Sequence, residues 1–126
     1  MNVFNGKVYS CDDHTGVVFE LPLATANETH PINPQPWVIL ADGNGTSSKA
    51  FKCEWATLKD GDLWIGGHGV HSIDENGDFK DKNQKFVKRI TEKGEVTHID
   101  WSKNYDKIAE ALDVDYPGTN PSFINE

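Results

Sequence analysis

The sequence predicts a mainly β fold of short antiparallel strands arranged as about two propeller blades, with one short helix. Three observations carry that prediction. Asn5-Gly6 and Asp60-Gly61 each separate short apolar runs, and Asn-Gly or Asp-Gly in that setting is a strong hairpin signal. Lys49 to Leu58 alternates large apolar with polar side chains, which is the period of a strand. The chain also repeats itself. Val3–Ser10 overlays Leu58–Ile65 with turn glycine on turn glycine and Tyr9 on Trp64, and Trp37–Leu40 before Gly43 is matched with Phe86–Ile90 before Gly94. A repeat of about 55 residues made of short strands is the signature of blades that cannot bury their faces alone, and two copies do not close a ring.

In chain order, residues 2–21 read as a meander: strand, Asn5-Gly6 turn, strand, Asp12–Gly16 turn, strand. Residues 22–36 lose periodicity and hold Pro31, Pro34 and Pro36 among polar residues, which marks a surface loop. Trp37–Leu40 follows as a short buried strand, stopped by Asp42-Gly43-Asn44-Gly45. Residues 49–67 read as a hairpin, with Glu54 inside its first strand. His71 to Gln84 is a polar insertion, and residues 96–101 are a further strand. Ser102 is placed to cap a helix over Lys103–Leu112, whose apolar stripe is Tyr105, Ile108, Ala109 and Leu112. Residues 113–121 read as loop, and a new strand begins at Phe123 just where the sequence stops. The organisation is one partial domain over 1–126: a first blade portion at 1–45, a second at 46–101, and helix, loop and strand start at 102–126. A sequence that ends on entering a strand reads as cut.

With 126 residues the chain has room for one domain and a modest core. Twenty acidic residues against 12 basic ones give a net charge of -8, which argues against binding nucleic-acid phosphates or an anionic membrane surface. No apolar run approaches the roughly 20 residues of a membrane span, and Met1 is followed directly by strand-like sequence with no leader. Cys11 and Cys53 lack the C-x-x-C spacing of a redox or zinc site. They read as small buried hydrophobes, or as a pair if adjacent blades bring their strands together.

Four features carry candidate chemistry. An unpaired carboxylate at Glu54 in a buried strand costs several kcal/mol or takes up a proton, so it needs a basic partner, an edge position open to water, or a bound cation. Asp12 and Asp13 precede Thr15-Gly16, where an aspartate either closes the turn through backbone N–H groups or, as one of an adjacent pair, orients a water or a metal. Asp42-Gly43-Asn44-Gly45 and Asp74–Asp78 both fail as EF-hand loops, the first with Cys53 where Glu is required and the second with Phe79 where Gly is required. Residues 74–78 read as a solvated turn. Among His14, His30, His68, His71 and His98 the best zinc pair is His68 with His71, but that spacing on a strand points the rings to opposite faces and no nearby cysteine completes a set. No P-loop, dinucleotide fingerprint or nucleophilic serine elbow is present.

Several of these segments, read together, resemble one family. Val3–Ser10, then Asp12-Asp13-His14-Thr15-Gly16-Val17-Val18, then Pro36–Gly45, then Phe51-Lys52-Cys53-Glu54-Trp55 look like the calcium-activated nucleotidases, or soluble apyrases, in the same order over nearly the whole chain. The resemblance implies a five-bladed propeller whose inner strands send oxygens into a central channel around one calcium. It implies Glu54 as one calcium ligand, with Glu126 as a second in the segment Ser122–Glu126, where Asn125 stands in place of a family histidine. Asp13 matches the aspartate counted as needed for activity. Lys52, Asp12, Thr15, Asp42 and Trp55 are the implied nucleotide contacts.

The implied activity is calcium-dependent hydrolysis of nucleoside di- and triphosphates. UDP and GDP are the usual good diphosphate substrates, ADP and ATP are further candidates, and the setting is secreted or in the ER or Golgi lumen. Asn44 replaces a family aspartate, and His68–His71 departs from the usual continuation. One family ligand, a serine, would precede Met1, and the later blades are absent. The 126 residues alone are therefore expected to be inactive. The alternatives are a non-catalytic propeller binding module and an inactive fragment.

Overall fold

The computed structural model describes residues 1–23, 27–29 and 31–113. It contains two four-stranded antiparallel sheets. The first runs β1 (Asn2–Phe4), β2 (Lys7–Cys11), β3 (Val17–Leu21) and β4 (Gln35–Ile39) in simple succession. The second has β5 (Trp55–Lys59), β6 (Asp62–Gly66), β9 (Phe86–Ile90) and β10 (Val96–Asp100) in the same succession. A ribbon of β7 (Ser72–Ile73) and β8 (Phe79–Asp81) is inserted between β6 and β9, and α1 (Ser102–Ala111) follows β10. Mainly β with antiparallel sheets and one short helix is as the sequence predicts, and neither sheet closes on itself.

The turns explain the hairpins. Asn5 and Gly6 have φ of 52° and 74°, and Asp60 and Gly61 have φ of 51° and 79°. Positive φ at both central residues is the two-residue turn whose twist matches that of the flanking strands. The hairpin repeat therefore holds: β1-β2 and β5-β6 open the two sheets identically. The second half of the repeat is offset, because Trp37–Ile39 lies in the fourth strand of its sheet, with Leu40 just beyond it, and Phe86–Ile90 is the third.

Several boundaries differ from the expectation, each for a local reason. β4 starts at Gln35 and includes Pro36, which an edge strand tolerates because it owes no inward N–H there; β4 pairs only with β3. The insertion after His71 is a short ribbon closed by a solvated turn, in which the Asp74 carboxylate accepts the N–H groups of Asn76 and Asp78. Ser102 does not cap α1. It is the first helical residue, and its N–H donates to Asp100 at 2.9 Å. Tyr105 and Ala109 are buried as expected, whereas Ile108 and Leu112 face solvent.

The core lies between the two sheets. Phe4, Tyr9, Val18 and Leu40 come from the first unit, and Phe51, Leu63, Ile65 and Ile90 from the second. Burying a large apolar side chain contributes about 1.5–3 kcal/mol, so these eight residues join the sheets as well as filling them. The first strands of the two sheets, β1 and β5, also approach one another.

Candidate active site

The turn from β2 into β3 presents Asp12, Asp13, His14 and Thr15. Asp12 is its structural member: its carboxylate accepts the N–H of Thr15 at 3.0 Å and the Thr15 hydroxyl as well. The Thr15 hydroxyl, before other groups, holds the Asp12 carboxyl below its ordinary value. Asp13 is exposed, and its described partner is His14, at 2.7 Å. That hydrogen bond raises the His14 imidazole above its ordinary range, while the Lys52 charge opposes the shift. Lys52 therefore lies within electrostatic reach of the turn, and it is exposed with no ion pair among the described residues.

Gly16 allows this turn to sit where it does. Its φ is 68°, and a Cβ there would lie 2.4 Å from the carbonyl oxygen of Leu40. The contact is a pair of backbone hydrogen bonds in series: Leu40 N–H donates to Gly16 O at 2.8 Å, and Phe51 N–H donates to Leu40 O at 2.9 Å. Immediately beyond, Cys53 is joined to Cys11 in a disulfide with Cα atoms 6.2 Å apart. The reading of both cysteines as isolated hydrophobes is thereby corrected, and the pairing alternative holds. Sequence could not supply this distance, since 42 residues separate the two.

Glu54 is not inside a strand. It precedes β5, its N–H donates to Gly66 O at 2.8 Å, and the residue is exposed. The penalty for a buried carboxylate thus does not arise. Its described ionic partner is His68, with Nε2 2.9 Å from Oε1; no Lys or Arg pairs with it among the described residues. Glu54 and Trp55 line a cavity of about 270 Å³ together with Cys11, Cys53, Tyr9 and Ser10. Trp55 is half-buried, packed over Gly66, and its indole N–H donates to the Tyr105 hydroxyl at 3.0 Å. Glu54, open to solvent and in contact with His68 but with no Lys or Arg among the described residues, offers the carboxylate oxygen that a hard divalent ion takes. Glu126 lies outside the described residues.

Asp42 belongs to a different, buried assembly that the sequence reading did not anticipate. Its loop is held by Lys88, whose ammonium donates to Gly43 O and lies 2.9 Å from His98 Nδ1. Lys88 is fully buried, and desolvation brings its pKa down to about 8. Burial raises the Asp42 carboxyl above its ordinary value and lowers the His98 imidazole, which favours the neutral ring beside the Lys88 ammonium. The signal was present in Phe86-Val87-Lys88-Arg89-Ile90. Adjacent residues on a strand face opposite sides, so one of two consecutive basic residues in a central strand must point inward. Arg89 takes the outer side and pairs with Asp62 at 2.6 Å.

A family model described as Apyrase matches residues 1–121. The chain belongs to the apyrase family. An apyrase of Cimex lectularius is 40% identical over 91% of this chain, and soluble calcium-activated nucleotidase 1 of Mus musculus is 39% identical over 92%. An apyrase of Phlebotomus duboscqi is 36% identical over 89%. This apyrase chain spans 27% to 31% of the length of these curated relatives.

Proposed function

We propose that the full-length protein carrying this chain hydrolyses nucleoside di- and triphosphates to release phosphate, in a calcium-dependent reaction, with UDP and GDP as substrates and ADP and ATP as further candidates. Membership of the apyrase family supports nucleotide hydrolysis, and the mouse relative's being a calcium-activated nucleotidase supports calcium dependence. The observation that carries the residue assignment is that Asp13 and Glu54, both exposed and neither paired with Lys or Arg among the described residues, lie on two segments joined through Cys11–Cys53.

In this reading Glu54 and Glu126 would hold the calcium, which would supply charge neutralisation and polarisation at the phosphate. Lys52 pairs with a phosphate, and Asp13 orients the attacking water toward phosphorus. Asp12 acts one step removed, by fixing the turn that presents Asp13. Thr15 and Trp55 complete the nucleotide contacts of the proposal, and Asp42, buried in its own assembly, acts only through the loop that Lys88 holds.

The two sheets are proposed as blades of a five-bladed propeller, which the side-by-side approach of the equivalent strands β1 and β5 supports. The disulfide supports an oxidising setting, secreted or in the ER or Golgi lumen. A second reading is a non-catalytic propeller binding module or an inactive fragment. It is favoured by the share of the relatives that this chain spans. The test is phosphate release from UDP by the full-length protein with calcium and then with excess chelator. Release that the chelator abolishes is the expected result, and none in either condition would leave the second reading.

A further inference from the structure

An asparagine followed two positions later by serine or threonine, with any residue but proline between, is the acceptor pattern for an N-linked glycan. The sequence holds this pattern at Asn27-Glu28-Thr29 and at Asn44-Gly45-Thr46, while Asn120-Pro121-Ser122 is barred by its proline. So short a pattern recurs by chance, and its structural setting has to decide. A glycan is bulky and solubilising, so the asparagine that carries it must stay in water after folding.

The two settings differ. Asn27, Glu28 and Thr29 are all exposed, and they lie in the connection between β3 and β4, outside the strands and the helix. The Asn27 amide oxygen accepts the Thr29 N–H at 3.0 Å and the Thr29 hydroxyl at 2.8 Å. These bonds use the oxygen of the side chain, whereas a glycan attaches to the nitrogen. Asn44 makes the same pair of bonds with Thr46, at 3.1 Å and 2.6 Å, but its neighbours are packed inward. A Cβ at Gly43 would meet the Asn83 amide, one at Gly45 would meet the His98 ring, and the Gly43 carbonyl is held by buried Lys88. Asn44 also lines a cavity with Lys82, Asn83 and Phe86. A glycan on Asn44 would have to leave from between these packed glycines, whereas one on Asn27 starts from a wholly exposed triplet.

We propose that Asn27 is an N-glycosylation site, receiving its oligosaccharide from a lipid-linked glycosyl diphosphate. This rests on the reading of the protein as maturing in an oxidising lumen, which the Cys11–Cys53 disulfide supports. In the transfer a bond forms between Asn27 Nδ2 and the anomeric carbon of the first sugar. The bond from that carbon to the diphosphate oxygen breaks, the lipid diphosphate leaves with the electron pair, and Nδ2 gives up one proton. Nothing is oxidised or reduced. Thr29 supplies the hydroxyl that the acceptor pattern requires.

The test uses the full-length protein made in cultured animal cells from its complete coding sequence, as wild type, Asn27→Gln, Thr29→Ala, Thr29→Ser and Asn44→Gln. Peptide masses are read before and after an amidase that releases N-linked glycans and leaves aspartate in place of the asparagine. The cross-linked Cys11–Cys53 peptide is read in the same digest. The expected result is that position 27 carries a glycan and reads as aspartate only after the amidase. The glycan should be lost in Asn27→Gln and Thr29→Ala and kept in Thr29→Ser and Asn44→Gln. A bare Asn27 with the disulfide closed would overturn the site and leave the lumenal reading standing. A bare Asn27 with free thiols at Cys11 and Cys53 would remove both together. A glycan confined to Asn44 would overturn the choice between the two triplets, and with it the proposal. If the variants fail to fold, the wild-type peptide map decides alone, because it needs no substitution.

Discussion

Asp12 accepts two hydrogen bonds from Thr15, one from its N–H at 3.0 Å and one from its hydroxyl, whereas Asp13 next to it makes no contact with the turn backbone among the described residues. The two adjacent aspartates therefore divide into one that closes the turn and one that faces outward from it.

That division predicts opposite phenotypes. Asp13→Asn in the full-length protein should remove most turnover and leave Tm unchanged. Asp12→Ala should lower Tm and disturb activity only through the turn. The Asp12 carboxyl is held below its ordinary value in the folded protein, so its contribution is present above about pH 4 and is lost as pH falls through the folded value. The difference in Tm between wild type and Asp12→Ala should accordingly shrink on acidification. Equal Tm loss in both variants would return Asp13 to a purely structural role.

Lys88 offers a second pH test in the opposite range. Its folded pKa of about 8 lies below the ordinary lysine value of 10.5, so the unfolded chain binds more protons between these values and stability from this group rises with pH across that window. Lys88→Met leaves the Gly43 carbonyl without its ammonium and should cost about 2 kcal/mol at neutral pH. The gap between wild type and variant should widen from pH 7 to pH 10 in chemical denaturation. A gap that narrows would mean the ammonium is better solvated than its burial indicates.

Gly66 tests the packing of Trp55. A Cβ at Gly66 would lie 2.0 Å from the indole ring, so Gly66→Ala must expel the ring and break its hydrogen bond to Tyr105. Overpacking of this kind costs about 1–3 kcal/mol. Trp fluorescence should shift to longer wavelength along with a lower Tm. An unchanged emission maximum would show that the ring is not seated as described.

The fold was legible where local chemistry decides local structure. Asn5-Gly6 and Asp60-Gly61 announce their turns because few other pairs adopt positive φ twice, and Tyr105 with Ala109 announces the buried side of the helix. Ile108 and Leu112 misled for a simple reason. Spacing gives the width of an apolar stripe but not how much of it a neighbour covers. The site was legible only in its sequence order. Glu54 looked buried because it stands between Cys53 and Trp55, yet strand alternation starts one residue later, at Trp55. Cys11 with Cys53, and Lys88 with Gly43 and His98, are contacts between distant segments, and no local pattern records a distance of that kind.

The most direct test of the account is the calcium dependence of UDP hydrolysis by the full-length protein and its Glu54→Gln variant, measured beside Tm. Loss of one charged ligand should raise the half-saturating calcium concentration about tenfold or more and lower activity with it, at an unchanged Tm. A variant whose calcium dependence overlays that of the wild type would contradict the assignment of Glu54 to the ion and, with it, the central claim about this site.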